Sequence, residues 1–566
     1  MNNAINDSLS SYALREPAQV MQLDRLGAFH PSRLSFMRSL MRRIMREHWH
    51  IECSRFELDD KGYGTVTYSI RAKHHNFTFV LFSNYLSDNE RNDRVIASKW
   101  DLTMALVIGD VTDEEIENLR CNVPKQEAGR MNANVVVLSR ANRSSRNFEY
   151  VVNELAAGRQ PAAQVLKDVG YLYRTTAVYG SGKFGLADWE QLSSQFPDFA
   201  RPFSAEMFTC YMLRHFSVEQ ADYLAKRRQP VTAVAMDNST RRYIGIGNAT
   251  GLGMAPYLIR HPQLISRWIT MRETAIARVL NDGSVNEDSV QRLLKLVAKA
   301  RQHFLETTVP NELQTSLNLT LIEELETLQQ WLEQKPPLEH WRTITHYASQ
   351  HWQVETQELI HSLLMELYPE LVDELEDSMT VNEQLYTSPE MPLTQFKQLI
   401  ETHYAWALDI DFEQPEAEHL FWYRSEEKME PRIGERLSEP GTDREIPLLT
   451  IARYVRNCYD LLCTDIEHHG DNDVVHFLMR QPAMKGISAR IQTMARDPYG
   501  DIQANLADRD TLPIHLLRCK LSFLGVSKFD PKSKYWVRNT MFQGAPLIAD
   551  IGGTFNDDWC YPLAPQ

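Results

Sequence analysis

Apolar positions fall three and four apart near the start of the chain, give way to short apolar runs, and return to helical spacing for most of the remaining length. The first helical pattern begins at Pro31, a residue suited to a first turn, and puts Leu34, Met37, Met41 and Ile44 on one side. Residues 63–70, 77–83 and 103–109 are rich in β-branched and aromatic types between polar turns, which predicts strands. Residues 134–138 make a fourth, and the set predicts an antiparallel sheet. Between 147 and 185 a helix is followed by the glycine-bearing segment YLYRTTAVYGSGKFG, predicted as a loop, and residues 231–236 and 243–246 read as two more short strands. Beyond Pro256 the windows 289–304, 319–331, 357–368, 392–404, 445–463 and 488–496 all carry helical spacing.

The expected fold class is therefore α+β: an N-terminal antiparallel sheet with helices, followed by a large, mainly α-helical region. Three stretches organise it: an α+β domain with the sheet at 1–145, a mixed linker and ligand-loop region at 146–255, and a mainly helical domain at 256–566. The C-terminal tail is too apolar for a free end and is expected to dock on the body or on a second subunit.

Composition narrows the partners. At 566 residues, 43% apolar and 10% aromatic, the chain can fill sizeable cores, and a net charge of −15 disfavours nucleic acid, whose phosphates need a basic surface. Two charge clusters read as solvated helix faces: Arg33, Arg38, Arg42, Arg43 and Arg46 on the first helix, and eight acidic residues without a Lys or Arg between Glu355 and Asp377. Seven cysteines without a CxxC pair fit a reducing compartment. With no basic-then-apolar leader and no run of about eighteen apolar residues, the expected location is the cytoplasm, with no membrane partner.

Four segments carry candidate chemistry. RRYIGIGNATGLGMAPYLIRHP, residues 241–262, has four glycines between an apolar run and a helical pattern. Glycine admits close backbone approach and a helix start offers unpaired N–H donors. Asn248 or Thr250 as cap, with Gly251 and Gly253 in the first turn, therefore predicts an anion site; close packing of another backbone is the alternative. The dinucleotide fingerprint fails, because Thr250 stands where it needs glycine. In RTTAVYGSGKFG, Arg174, Tyr179 and Lys183 could hold a carboxylate or phosphate and donate a proton, although Ala177 and Phe184 rule out a Walker A loop. FWYRSEE places Tyr423, Arg424 and Glu426 together, with aromatic neighbours raising a carboxyl pKa and the arginine lowering it. Glu-x-x-His occurs at Glu47/His50, Glu358/His361 and Glu416/His419, the spacing that di-iron helical bundles use.

The leading expectation is a cytosolic enzyme acting on a small anionic, carboxylate- or phosphate-bearing metabolite by acid–base chemistry, of lyase, hydratase or isomerase type. Arg174, Asn248, Thr250, Gly251, Gly253 and Arg424 would bind substrate, and Tyr179, Lys183, Tyr423 and Glu426 would move protons, in a monomer or a homo-oligomer. One alternative is a metal-dependent, di-iron-like oxygenase on the helical half, and another is a non-catalytic scaffold or regulatory subunit. No motif assigns a cofactor.

Overall fold

The computed structural model describes residues 13–87, 100–123, 134–175, 195–251, 261–307, 309, 311–379, 385–413, 422–424, 431–433, 448–502, 512–533, 536–554 and 557–565. Its strands are β1 (His50–Leu58), β2 (Gly64–Arg71), β3 (Asn76–Ser83), β4 (Leu102–Ile108), β5 (Val135–Arg143), β6 (Tyr171–Thr175), β7 (Gly245–Gly251), β8 (Trp422–Arg424), β9 (Pro431–Ile433), β10 (Lys528–Ser533) and β11 (Trp536–Met541). β8 and β9 pair by themselves, and the other nine form one sheet in the order β1-β2-β3-β4-β5-β6-β7-β11-β10. Behind this sheet comes the large helical region, so the class is α+β.

The sheet is mixed rather than antiparallel, because β6 and β7 run parallel. A long helix, Ser204–Arg228, lies between them in the chain, and such a crossover lets two strands run the same way. Residues Tyr171–Thr175, expected in a loop, form β6 instead, with all five buried. Residues 231–236 form no strand, and Tyr243 closes a short helix, Asn238–Tyr243, before β7 begins.

Both faces of the central strands are covered, which explains their unbroken apolar runs. Phe77, Phe79 and Leu81 of β3 face the main core, while Val80 and Phe82 alternate to the other side and meet Ile116 and Leu119 of the helix Asp113–Asn122. That helix opens on a capping box: the Glu115 N–H donates to the Thr112 hydroxyl at 3.2 Å, and the Thr112 N–H donates to the Glu115 carboxylate at 2.8 Å.

Seven helices matter for the site: α1 (Phe36–Arg46), α2 (Ser204–Arg228), α3 (Pro262–Asp282), α4 (Glu287–Glu306), α5 (Glu312–Glu333), α6 (Val354–Leu367) and α7 (Leu512–Leu524). The first begins at Phe36 rather than Pro31, after a turn. α2 packs on β5, β6 and β7, and is buried around most of its circumference. Its Arg214 is fully enclosed and donates to the carbonyls of Ile244, Ala545 and Pro546 at 2.7, 3.0 and 3.1 Å, fastening the start of β7 and the chain after β11 to the sheet. Burial pushes its pKa down to about 10. The C-terminal tail docks on the body through buried Trp559, Cys560 and Tyr561. No helix among the described residues is long and apolar enough to cross a membrane.

Candidate functional site

Much of the two charge clusters expected on the surface is buried face to face, although Arg46 is exposed and Arg43 half-buried. Arg33, Arg38 and Arg42 pair with Glu366, Asp373 and Glu376 from the end of α6 and the turns after it, and with Asp557 from the tail. The Asp557 carboxylate accepts from Arg38 at 2.9 Å and from Arg42 at 2.8 Å. Burial works against the charge on Arg38, but Glu366 and Asp557 outweigh it and its pKa rises; for Arg42 burial wins and the pKa falls to about 10. These corrections share a cause. Every residue from Glu355 to Leu367 is buried, so the carboxylates of α6 cannot be solvated and must find cations. Further on, Glu370, Glu374 and Asp377 are exposed, as expected of the acidic stretch.

A second cluster lies about two turns earlier on α6, at Glu358. Glu358 accepts from Arg15 at 2.7 Å, Arg25 at 2.6 Å and Arg272 at 2.7 Å, and Glu273 of α3 accepts from Arg15 at 2.7 Å. Burial would raise both carboxyl pKa values, yet Arg15 and Arg272 pull them down, Glu358 well below its ordinary range. His361 stands 3.6 Å from Glu358, and burial together with Arg15 lowers its pKa. The carboxylate of this Glu-x-x-His pair is thus engaged by three arginines. Glu47 and His50 are parted where α1 ends and β1 begins, and Glu416 and His419 lie outside the described residues. Among the described residues no three His, Cys, Asp or Glu side chains are grouped to hold a metal.

The third arrangement opens onto a cavity. His30, in the loop before α1, lies 3.6 Å from the Glu355 carboxylate at the start of α6, and Glu355 also accepts from Arg518 of α7. His30 Nε2 is buried and has no hydrogen-bond partner. Burial, reinforced by Arg518 and Arg272, pushes the His30 pKa well below its ordinary value. Burial pushes Glu355 up, with Arg518 opposing. His30, Arg518, Gln314, Asn318, Lys528 and Phe304 line a cavity of about 80 Å³, walled on one side by Trp559–Pro562 of the tail. A single water occupies roughly 10–15 Å³ by the same kind of measure, so the space suits an inorganic anion or a short-chain acid.

Of the residues singled out from sequence, Arg174 and Asn248 come together on neighbouring strands, with Arg174 opposite Gly247 and Thr175 opposite Asn248. Both are buried, and the Asn248 amide donates to the Thr175 carbonyl at 3.0 Å. The expected helix start is absent: Asn248, Thr250 and Gly251 belong to β7 and pair with Asn539, Val537 and Trp536 of β11. Gly245 and Gly247 have a packing reason. A Cβ at Gly247 would stand 2.6 Å from the Tyr171 ring, and one at Gly245 would stand 2.5 Å from the Met541 carbonyl. Tyr423 and Arg424 lie in β8, opposite Arg432 and Pro431. Tyr179, Lys183, Gly253 and Glu426 fall outside the described residues.

His30, Glu355 and Arg518 were not found from sequence. The available signal was the apolar character of QELIHSLLMEL: a helix apolar on every side is interior, and its carboxylates then need partners. No family model, curated protein or solved structure matches this chain.

Proposed function

We propose that this protein is an enzyme that moves a proton on a small carboxylate- or phosphate-bearing metabolite held in the cavity beside His30. The supporting observation is the pairing of a buried imidazole, its Nε2 without a hydrogen-bond partner, with a carboxylate whose pKa is displaced in the opposite direction. Oppositely displaced titratable neighbours are a feature of acid–base sites, and here His30 stands on the cavity wall with Glu355 behind it. His30, uncharged at neutral pH, would take the proton. Arg518 would anchor the anion through its remaining N–H donors, and Gln314 and Asn318 would orient it. Elimination, hydration and isomerisation next to a carboxylate all begin with such a transfer. All seven cysteines are unpaired, which supports a reducing compartment such as the cytoplasm.

The test is solvent exchange. Protein in D2O is incubated with pyruvate, malate and oxaloacetate, and loss of carbon-bound protons is followed by NMR beside the His30→Gln variant. Exchange above the buffer rate that disappears in the variant, with its circular dichroism unchanged, supports the proposal. An absence of both exchange and calorimetric binding of these acids and of inorganic phosphate removes it.

A further inference from the structure

A second cavity, remote from His30 in sequence and lined by different elements, has the makings of a binding site. It measures about 320 Å³ and is bordered by the β1–β2 hairpin, the segment after β3, the end of β5 and the C-terminal half of α2. Three features point to one class of guest.

The first is a donor left over. Arg143, at the end of β5, is only 9% exposed, with its guanidinium 4.3 Å from the Phe148 ring and 5.8 Å from that of Tyr63. Its Nε donates to the Tyr173 hydroxyl at 2.9 Å, whereas Nη2 has no hydrogen-bond partner. A buried guanidinium N–H without an acceptor is costly and calls for an anion.

The second is charge. The two carboxylates of the rim are already matched, Glu149 by Arg228 at 2.8 Å and Asp60 by Arg227 at 3.4 Å. Lys61 has no carboxylate partner among the described residues. On a chain of net charge −15, this leaves a locally cationic hollow.

The third is an aromatic wall. Tyr63 and Tyr85 meet edge to face with centroids 5.5 Å apart, and Tyr85 remains 70% exposed. The hairpin carrying Lys61 and Tyr63 is preformed. Asp59 accepts from the N–H groups of Lys61 and Tyr63 at 2.8 and 2.9 Å, Gly62 takes the left-handed φ of 81° that the turn requires, and Gln220 of α2 donates to the Gly62 carbonyl at 2.9 Å.

We infer that this cavity binds a small aromatic anion, its carboxylate or phosphate on Arg143 and Lys61 and its ring against Tyr85. The cavity size falls within the range of small-molecule pockets. A non-aromatic anion would use the cations and leave the Tyr85 face in water. An uncharged ring would leave the Arg143 donor unsatisfied.

The experiment is calorimetric titration of the full chain with phenyl phosphate, benzoate, cyclohexanecarboxylate and inorganic phosphate. Phenyl phosphate or benzoate should bind, and benzoate should bind more tightly than its saturated counterpart; which of the two aromatic ligands wins identifies the anionic group. Tyr85→Ala, a change at an exposed side chain, should weaken aromatic ligands roughly three- to tenfold and leave inorganic phosphate unchanged. Lys61→Gln and Arg143→Lys should weaken every anion. The inference fails if neither aromatic ligand binds up to roughly 10 mM. It also fails if binding is equal in the wild type and all three variants, or if cyclohexanecarboxylate matches benzoate.

Discussion

Replacing Glu358 by glutamine keeps the shape of the side chain and removes its charge. Glu358 is fully buried, and three guanidiniums, from Arg15, Arg25 and Arg272, are satisfied by it and by Glu273. After the change a single carboxylate faces three cations, Arg25 and Arg272 buried and Arg15 half-buried. Removing one partner from a buried ion pair costs about 3–5 kcal/mol, because the remaining charge stays dehydrated. In urea, with a slope of about 3 kcal/mol per molar, that moves the midpoint down by roughly 1 M or more. Far-UV circular dichroism and tryptophan fluorescence would follow the transition. The acid dependence has a definite sign. Its arginine partners hold the Glu358 pKa well below the ordinary value, so its stabilisation is complete above the unfolded pKa of about 4.3 and is lost as pH falls toward the folded value. The gap between wild type and Glu358→Gln should therefore be widest at neutral pH and close in acid. Adding Arg15→Met to the variant should cost less than the sum of the single changes, since it withdraws one of the stranded cations. A midpoint shift below roughly 0.3 M, the scale of an exposed pair of under about 1 kcal/mol, or a gap that does not change with pH, would refute the claim that this network is dry.

Two further outcomes follow from packing and exposure. Gly247→Ala should destabilise by about 1–3 kcal/mol, as its Cβ meets the Tyr171 ring. Combining it with Tyr171→Leu should restore part of the loss in a thermal melt, whereas no restoration would argue against a packing role for this glycine. In native protein Cys53 and Cys121, both exposed, should react with a disulfide reagent, Cys53 the more slowly because burial and Glu219 push its thiol up to about 11. Cys210, Cys458, Cys519 and Cys560 should react only on unfolding, and rapid labelling of any of these four would contradict the burial described.

Much of the element list is legible in the chain because its causes are local. The strands at 64–71, 76–83 and 102–108 declare themselves through β-branched and aromatic runs. The end of the helix Leu448–His469 is written in Gly470, with φ of 76°, and in Asp473, which stands at the N-cap position of the helix Val474–Arg480. α2 escaped notice for the opposite reason: apolar residues on all sides leave no stripe to detect. The glycines of 241–262 signalled close approach, but a sequence cannot say whether the approaching group is a ligand or, as at Gly245 and Gly247, another part of the same sheet.

The sequence by itself determined the class of fold, the positions of β2 to β5 and of most long helices after Pro256, and which residues carry charge. Tertiary structure decided what those charges do. Arg38 and Glu366 are 328 positions apart, and His30 comes from the N-terminal segment whereas Glu355 lies within the helical region. Helical periodicity reports only neighbours three and four residues away, and on that evidence a run of arginines and a run of glutamates each look solvated. Burial of α6 reverses that reading, because a carboxylate removed from water is stable only beside a cation. Packing then supplies such partners from distant parts of the chain and leaves His30 Nε2 without a hydrogen bond beside a cavity.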